Sequence, residues 1–335
     1  MHDRPRLYES IDDVLGEAST RFFGTGFKHV VQRLGAARID VANARATCTA
    51  DVRYPPSWSK KTGGELAPHL SSIDGLVIAV QLAEAFIRVA HALDDDAIAQ
   101  SWLRGCTLRA GTAPTLDLGM VPASLAFVRR EVSADALHGG LSHFNVQVGT
   151  MVIQLVLDHP TPLTRDERVQ IDDLEALLGP ASGRYFGDAY RNTSIRARPL
   201  ELEAAQLRAR ATVHIDYDDP SRAPRAGLAG AHAPFLSPID AMVSVAQLAQ
   251  AVMYDHDRIT RAVSNNLWMR KIAISVPRPQ FVARFPVETW ITKSVIVPAR
   301  DRRWRSASFG LKFPALQAEY SVAHELPARV ESATW

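Results

Sequence analysis

One long segment of the chain, at residues 72–92, is apolar on nearly every side when its residues are placed on a helix. Its apolar residues are Ile73, Leu76, Val77, Ile78, Val80, Leu82, Phe86, Ile87 and Val89. A helix at a protein surface carries a polar face along one side, and this segment lacks one. The pattern therefore predicts a long helix that the rest of the protein encloses.

The segments on both sides of this helix alternate between apolar and polar residues, as half-buried β-strands do. In residues 44–54 the alternating apolar side chains are Ala46, Cys48, Ala50 and Val52. Three more β-rich runs follow the helix, at residues 102–108, 122–132 and 144–157. A short amphipathic helix at residues 11–15 precedes them, so we expect a unit of short helix, strand, long helix and further strands.

The same order of elements occurs twice along the chain. Residues 67–104 align without a gap to residues 233–270, with thirteen of thirty-eight positions identical. Shorter matched segments are 11–13 with 171–173, 21–24 with 184–187, and 46–47 with 211–212. Internal repeats of this kind are the signature of a duplicated unit. We predict two repeats, at residues 1–160 and 161–335.

An enclosed helix flanked by strands favours a curved antiparallel sheet that wraps around the helix, which is the hotdog arrangement. Two such units in one chain predict an α+β fold, a tandem double hotdog with a continuous sheet. Pro160 and Pro162 lie in the expected linker between them.

Composition narrows the class of protein. Hydrophobic residues make up 47% and charged residues 22%, which is typical of a soluble globular protein. A formal net charge of +2 gives no sign of a nucleic-acid partner. The two cysteines, Cys48 and Cys106, lie in strand-like runs and are interpreted as reduced core residues. The sequence predicts no membrane span, no metal site and no cofactor, and a cytoplasmic location.

Both long helices begin with the same polar pattern. Asp74 precedes Gln81 by seven residues and Asp240 precedes Gln247 by seven, so the members of each pair lie on one helix face. A carboxylate and an amide there can hold a carbonyl or hydroxyl, and an apolar tunnel would raise the carboxyl pKa. The alternative is a capping box, in which Ser71 caps the helix and Asp74 is its third residue.

A tryptophan and an arginine recur on the strand after each long helix. Trp102 and Arg104 of the first repeat match Trp268 and Arg270 of the second. Strict alternation would put both side chains on one face of the strand. Each arginine is expected to pair with Asp74 or its equivalent, or else to hold a phosphate or carboxylate of a substrate.

Positions at which the repeats differ are candidates for chemistry that one repeat alone retains. His69 stands where the second repeat has Phe235, and Glu84 stands where it has Gln250. His69 could act as a general acid or base with Glu84 or an aspartate orienting it. The alternative for His69 is an ordinary loop histidine. His143 faces a serine in the second repeat and is a weaker candidate.

Several of these segments resemble the avirulence D (AvrD) family. The opening at residues 10–16, 21–24 and 26–28 resembles that family's start, and residues 70–74 with 81–84 resemble its central segment. The resemblance implies a role in producing acylated sugar-lactone signals, in which a β-ketoacyl chain is joined to a ketose. It also implies kinship with the A-factor synthesis proteins.

The expected function is therefore transfer or condensation of a β-ketoacyl thioester onto a sugar or polyol. His69 would be the base and Asp74 or Asp240 would position it, with Glu84 as a further candidate. The substrate-binding candidates are Gln81, Gln247, Trp102, Arg104, Trp268 and Arg270. The donor would be an acyl carrier protein or acyl-CoA, and a homodimer is left open. The alternatives are a hotdog dehydratase or thioesterase, and a non-catalytic protein that binds acyl ligands.

Overall fold

The computed structural model describes residues 4–60, 67–161, 165–264, 267–299 and 302–327. The strands of the first repeat are β1 (Arg6–Tyr8), β2 (Val31–Asp40), β3 (Arg45–Arg53), β4 (Trp102–Arg109), β5 (Val121–Val132), β6 (Gly140–Val148) and β7 (Met151–Asp158). Those of the second are β8 (Arg168–Ile171), β9 (Thr193–Glu203), β10 (Arg208–Tyr217), β11 (Leu267–Ser275), β12 (Arg284–Ala299), β13 (Arg302–Lys312) and β14 (Gln317–Glu325). The helices are α1 (Asp12–Leu15), α2 (Ser72–His91), α3 (Asp95–Gln100), α4 (Leu174–Leu178) and α5 (Pro238–Asp257).

All fourteen described strands form one antiparallel sheet. Its order is β1-β9-β10-β12-β13-β14-β11-β4-β7-β6-β5-β3-β2-β8. Strands β4 and β11 pair at the centre, and the strands on each side follow in the same repeat order outward from that pair. This large antiparallel sheet with few helices agrees with the predicted α+β class.

The two long helices begin with the capping boxes that the sequence suggested. Ser71 accepts a hydrogen bond from the amide of Asp74, and the Asp74 carboxylate accepts one from the amide of Ser71. Ser237 and Asp240 repeat this arrangement at α5. The predicted burial of α2 is also confirmed, because nearly all of its residues are inaccessible to solvent. The capping boxes therefore fix the residues at which the two long helices begin.

One β-rich run is divided differently from the prediction. Residues 144–157 do not form a single run but belong to β6 and β7, which pair as a hairpin. The turn between them includes Gly149, whose φ of 56° is costly for residues with a Cβ. The turn matters for the site because Thr150 lines the large cavity described below.

The opening segment of each repeat packs on the other repeat. Strand β1 pairs with β9 of the second repeat, and β8 pairs with β2 of the first. Helix α1 contacts α5, and α4 contacts α2. We call these opening segments, residues 6–29 and 168–192, the crossed lead-ins. A boundary near residue 160 stays a prediction, because elements from both sides of it complete each half of the sheet.

Two arginines of the crossed lead-ins form hydrogen bonds to the long helices. Arg21 donates to Oε1 of Gln247 at 2.8 Å, and Arg184 donates to Oε1 of Gln81 at 3.2 Å. Each bond joins a lead-in of one repeat to the long helix of the other. Gln81 and Gln247 therefore make buried contacts between the repeats, and the substrate contact expected of them stays a prediction.

Both cysteines are buried and free, as predicted. Burial raises the pKa of each thiol, Cys48 and Cys106, to about 12. No helix within the described ranges is long and apolar enough to span a membrane. The described residues also contain no group of three or more His, Cys, Asp or Glu placed to hold a metal ion.

A buried histidine outside the cavity should make stability depend on pH. His159 contacts Oγ of Ser142 and the carbonyl oxygen of Pro160, both at 2.8 Å, and burial lowers its pKa from 6.5 to about 4. The unfolded chain then takes up a proton below pH 6.5 while the folded protein does so only near pH 4. The stabilisation is therefore complete above pH 6.5 and is lost as the pH falls, by about 3 kcal/mol at most.

The measurement is a series of denaturant melts of wild type and His159→Gln between neutral pH and about pH 4. Other groups titrate in the same range, so the difference between the two proteins is the quantity of interest. Wild type should lose stability more steeply than the variant as the pH falls. Parallel curves would exclude His159 as the source.

Candidate active site

A cavity of about 1220 Å³ lies where the start of α2 meets the second repeat. Small-molecule sites usually occupy about 300–1,000 Å³, so this one has room for a long ligand. It is lined by His69, Ser71 and Ser72 before and at the start of α2, by Met242, Val245, Ala246 and Gln250 of α5, and by Trp268, Arg270, Trp304 and Ala323 of the second repeat's strands. We call it the open cavity.

His69 is held in the open cavity by aromatic rings from both repeats. Its ring stacks on Trp268 with centroids 4.5 Å apart, and Trp58 lies edge-on at 6.4 Å. Burial lowers the pKa of His69, and this effect is opposed by a hydrogen bond to the backbone of Ala67 and by the charge of Asp74. The imidazole is therefore neutral near pH 7 and can accept a proton.

The equivalent position in the other repeat is filled by packed aromatic side chains. Phe235 replaces His69 and lies 5.2 Å from Trp102 and 4.8 Å from Tyr185, between ring centroids. All three residues are buried, and Nε1 of Trp102 donates to the carbonyl of Val276 at 2.8 Å. We call this cluster the closed site. Trp102, which was expected to bind substrate, is buried within this cluster.

Asp74 is part of the capping box at the start of α2. It is buried and accepts hydrogen bonds from Gln32 at 2.6 Å, from the hydroxyl of Ser71 at 2.7 Å and from the hydroxyl of Tyr54. The described residues that line the open cavity do not include Asp74. Its carboxylate is thus held by capping contacts, and it influences His69 through its charge alone.

The remaining carboxylate candidates are also outside the open cavity. Asp240 is buried beside Ser237 and Tyr185, and burial raises its pKa to about 6. Glu84 accepts from the amide of Leu228 at 3.1 Å and lies beside Arg88. Burial raises the pKa of Glu84. The structure therefore does not bring either carboxylate to His69.

The predicted ion pair between Asp74 and Arg104 is wrong. The guanidinium of Arg104 lies 4.0 Å from Asp158 and donates to the carbonyl of Asp135 at 2.7 Å. The physical reason is an irregularity in the pairing of β4 with β7 at Arg104, which interrupts the alternation that the prediction assumed.

The second predicted pair, between Asp240 and Arg270, is wrong as well. The pairing of β11 with β14 has the same irregularity at Arg270. The side chain of Arg270 is exposed at the open cavity beside Trp268, and no described carboxylate lies within 4.0 Å of it. Trp268 and Arg270 are therefore the two strand candidates that the structure brings to the open cavity. His143 contacts Glu131 at 3.2 Å, away from this cavity.

The stability of Asp74 and Arg104 variants tests the corrected assignment. Asp74→Ala should cost about 2–4 kcal/mol, because it removes the acceptor that partly buried donors of Gln32, Tyr54 and Ser71 share. Arg104→Ala should cost less, since its contacts lie elsewhere. In denaturant melts, the loss in free energy of unfolding of the double variant should equal the sum of the two single losses within about 0.5 kcal/mol. A larger coupling energy would show that Asp74 and Arg104 interact after all.

The sequence of this chain matches the model of the Pseudomonas avirulence D protein (AvrD) family over residues 6–327. The chain belongs to the AvrD family. The resemblance seen at its opening and central segments is thereby confirmed. No curated protein matches the sequence.

Solved structures similar to this AvrD family member include three with low identity. A tesB protein from Mycobacterium avium subs paratuberculosis has 11% identity and a TM-score of 0.35, with 84% of this chain and 92% of that chain covered. The dehydratase domain of PpsC from Mycobacterium tuberculosis, in complex with C12:1-CoA, has 13% identity and a TM-score of 0.32, with 87% and 97% covered. A protein with a hot dog fold from Alicyclobacillus acidocaldarius has 8% identity and a TM-score of 0.35, with 88% and 98% covered. At such values the function of the AvrD family member has to be argued from its own residues.

Arg261 is a residue of the open cavity that the sequence patterns did not single out. It donates to the carbonyls of Thr20 at 2.7 Å and Lys60 at 3.0 Å, which ties the first repeat to the second. A signal was present, because the gap-free alignment places Arg261 opposite Asp95. A reversal of charge between otherwise similar repeats marks a position that differs in role.

Proposed function

We propose that this AvrD family member transfers the β-ketoacyl group of a thioester to a hydroxyl group of a sugar or polyol. The observation that carries the proposal is His69, a neutral imidazole in the open cavity whose counterpart Phe235 is sealed in the core. A base is needed where a hydroxyl must lose a proton to attack a carbonyl.

The proposed reaction uses His69 twice. Its unprotonated ring nitrogen accepts the proton of the acceptor hydroxyl while the hydroxyl oxygen bonds to the thioester carbonyl carbon. The carbon–sulfur bond then breaks, and the departing thiolate takes the proton from the imidazolium. One ester bond forms, one thioester bond breaks, and no proton is gained or lost overall.

The start of α2 is suited to the developing negative charge on the carbonyl oxygen. Ser72 is the first residue of the helix and lines the open cavity. The first amides of a helix have no partner within the helix, and the helix dipole favours negative charge there. An oxygen near Ser72 would therefore be stabilised in the transition state.

The acyl chain is proposed to lie along α5. Met242, Val245 and Ala246 form an apolar wall of the open cavity, with Leu267 and Ile272 of β11 nearby. Burial of each methylene of a chain against such a wall contributes about 0.8 kcal/mol. A donor carried on coenzyme A or on a carrier protein would be met in the cytoplasm, where we place this reaction.

The test is to incubate the purified full chain with a β-ketoacyl thioester and a panel of ketoses, followed by mass spectrometry. The acylated ketose should form only when the protein is present. Release of the free β-keto acid alone would favour a thioesterase, and conversion of a β-hydroxyacyl thioester to the unsaturated one would favour a dehydratase. Saturable binding with no product would favour an acyl-binding protein.

A further inference from the structure

The open cavity and the closed site differ in charge at equivalent positions on the helices. Glu84 lies on α2, and its equivalent in the gap-free alignment is Gln250 of α5, which lines the open cavity. Asp95, which pairs with Arg88 at 2.7 Å, is likewise replaced by Arg261. Two acidic positions have become an amide and a cation.

The strands show the same change. Asp158 of β7 pairs with Trp102 of β4, and Ala323 of β14 pairs with Trp268 of β11. Asp158 and Ala323 therefore occupy equivalent positions in the two repeats. Asp158 is the carboxylate beside Arg104, whereas Ala323 lines the open cavity and leaves Arg270 without that partner. The open side therefore lacks a third acidic residue that the other side has.

The described residues that line the open cavity include no Asp or Glu, and they include four arginines. Arg21 pairs with Asp12 and Arg302 pairs with Glu325, but both Arg261 and Arg270 have no described carboxylate within 4.0 Å. Arg21 is 3% exposed, and its Nε has no hydrogen-bond partner among the described residues. The cavity thus holds excess positive charge, and one of the arginines that line it has an unsatisfied buried donor.

We propose that the open cavity binds a phosphate ester, with Arg261 and Arg270 as its cationic contacts. This inference rests on the proposed function and names the class of its substrate. Guanidinium groups recognise phosphate oxygens through charge-assisted hydrogen bonds. The phosphate belongs either to the thioester carrier or to the ketose acceptor, and the excess charge is common to both.

Binding measured without turnover separates this inference from the proposed reaction. Calorimetric titrations of the full chain would compare decanoyl-CoA with decanoyl-pantetheine, and ribulose 5-phosphate with ribulose. In one of the two pairs the phosphorylated member should bind about 10- to 100-fold more tightly, the value of one or two charge-assisted hydrogen bonds. Added salt should weaken that member more strongly.

The decisive variants change Arg270, which is exposed and can be replaced with little risk to folding. Arg270→Gln should remove most of the preference for the phosphorylated ligand, and Arg270→Lys should restore part of it. Arg261→Gln should act in the same direction, with a melt to verify folding. The matched control is Arg284→Gln, an exposed arginine on β12 that does not line the cavity.

The outcomes are distinct. If decanoyl-CoA binds more tightly than decanoyl-pantetheine and this preference depends on Arg270, the phosphate belongs to the thioester carrier. If the preference is for ribulose 5-phosphate over ribulose, the phosphate belongs to the sugar. No preference in either pair, or a preference that survives in Arg270→Gln, would overturn the phosphate site. His69→Ala should keep the preference, so a failure of the proposed reaction leaves this result readable.

Discussion

His69→Ala is expected to slow product formation by about 10²- to 10⁴-fold, the usual effect of losing a general base. The fold should change little, because His69 is only partly buried and the second repeat accommodates phenylalanine at the same position. Since the pKa of His69 is lowered, the wild-type rate should stay constant around neutral pH and fall only when the pH drops below the ordinary imidazole value.

Initial rates by mass spectrometry and a denaturant melt of each protein check this result. The control is His143→Ala, which removes a histidine that contacts Glu131 away from the open cavity. It should turn over like wild type. Turnover by His69→Ala at the wild-type rate would remove His69 from the reaction and would favour a binding function.

Phe235→Ala, unlike His69→Ala, should strongly destabilise the fold, with a loss of about 3–5 kcal/mol in the free energy of unfolding. Phe235 is 2% exposed and packs against Trp102 and Tyr185, so truncation leaves a cavity in the core. The equivalent change at His69 should cost less than about 1 kcal/mol. Denaturant melts of the two variants side by side give the comparison, and a small loss for Phe235→Ala would mean that the closed site is not tightly packed.

The helices were predictable because their information is local. The apolar pattern of α2 and the spacing of Ser71 and Asp74 act within a few turns, and the structure reproduces both. The role of Gln81 was not predictable in this way. Its partner Arg184 reaches it from the other repeat, and sequence spacing does not say on which repeat a lead-in will pack.

The candidate site was predictable only in part for a similar reason. Comparison of the repeats singled out His69, but its stacking partner Trp268 comes from the distant strand β11. The expected pairs of Arg104 and Arg270 failed because alternation along a strand ends at a bulge, and a bulge depends on how neighbouring strands pair. Such features belong to tertiary structure.

The crossed lead-ins bear on how such a molecule could have arisen. A single repeat would lack the edge strand and short helix that its neighbour supplies, so it would need a second copy to be complete. In a symmetric pair of identical chains every substitution occurs in both subunits. In a single chain that carries both copies this constraint is absent, so one of the two equivalent sites can specialise for chemistry while the other becomes part of the packed core.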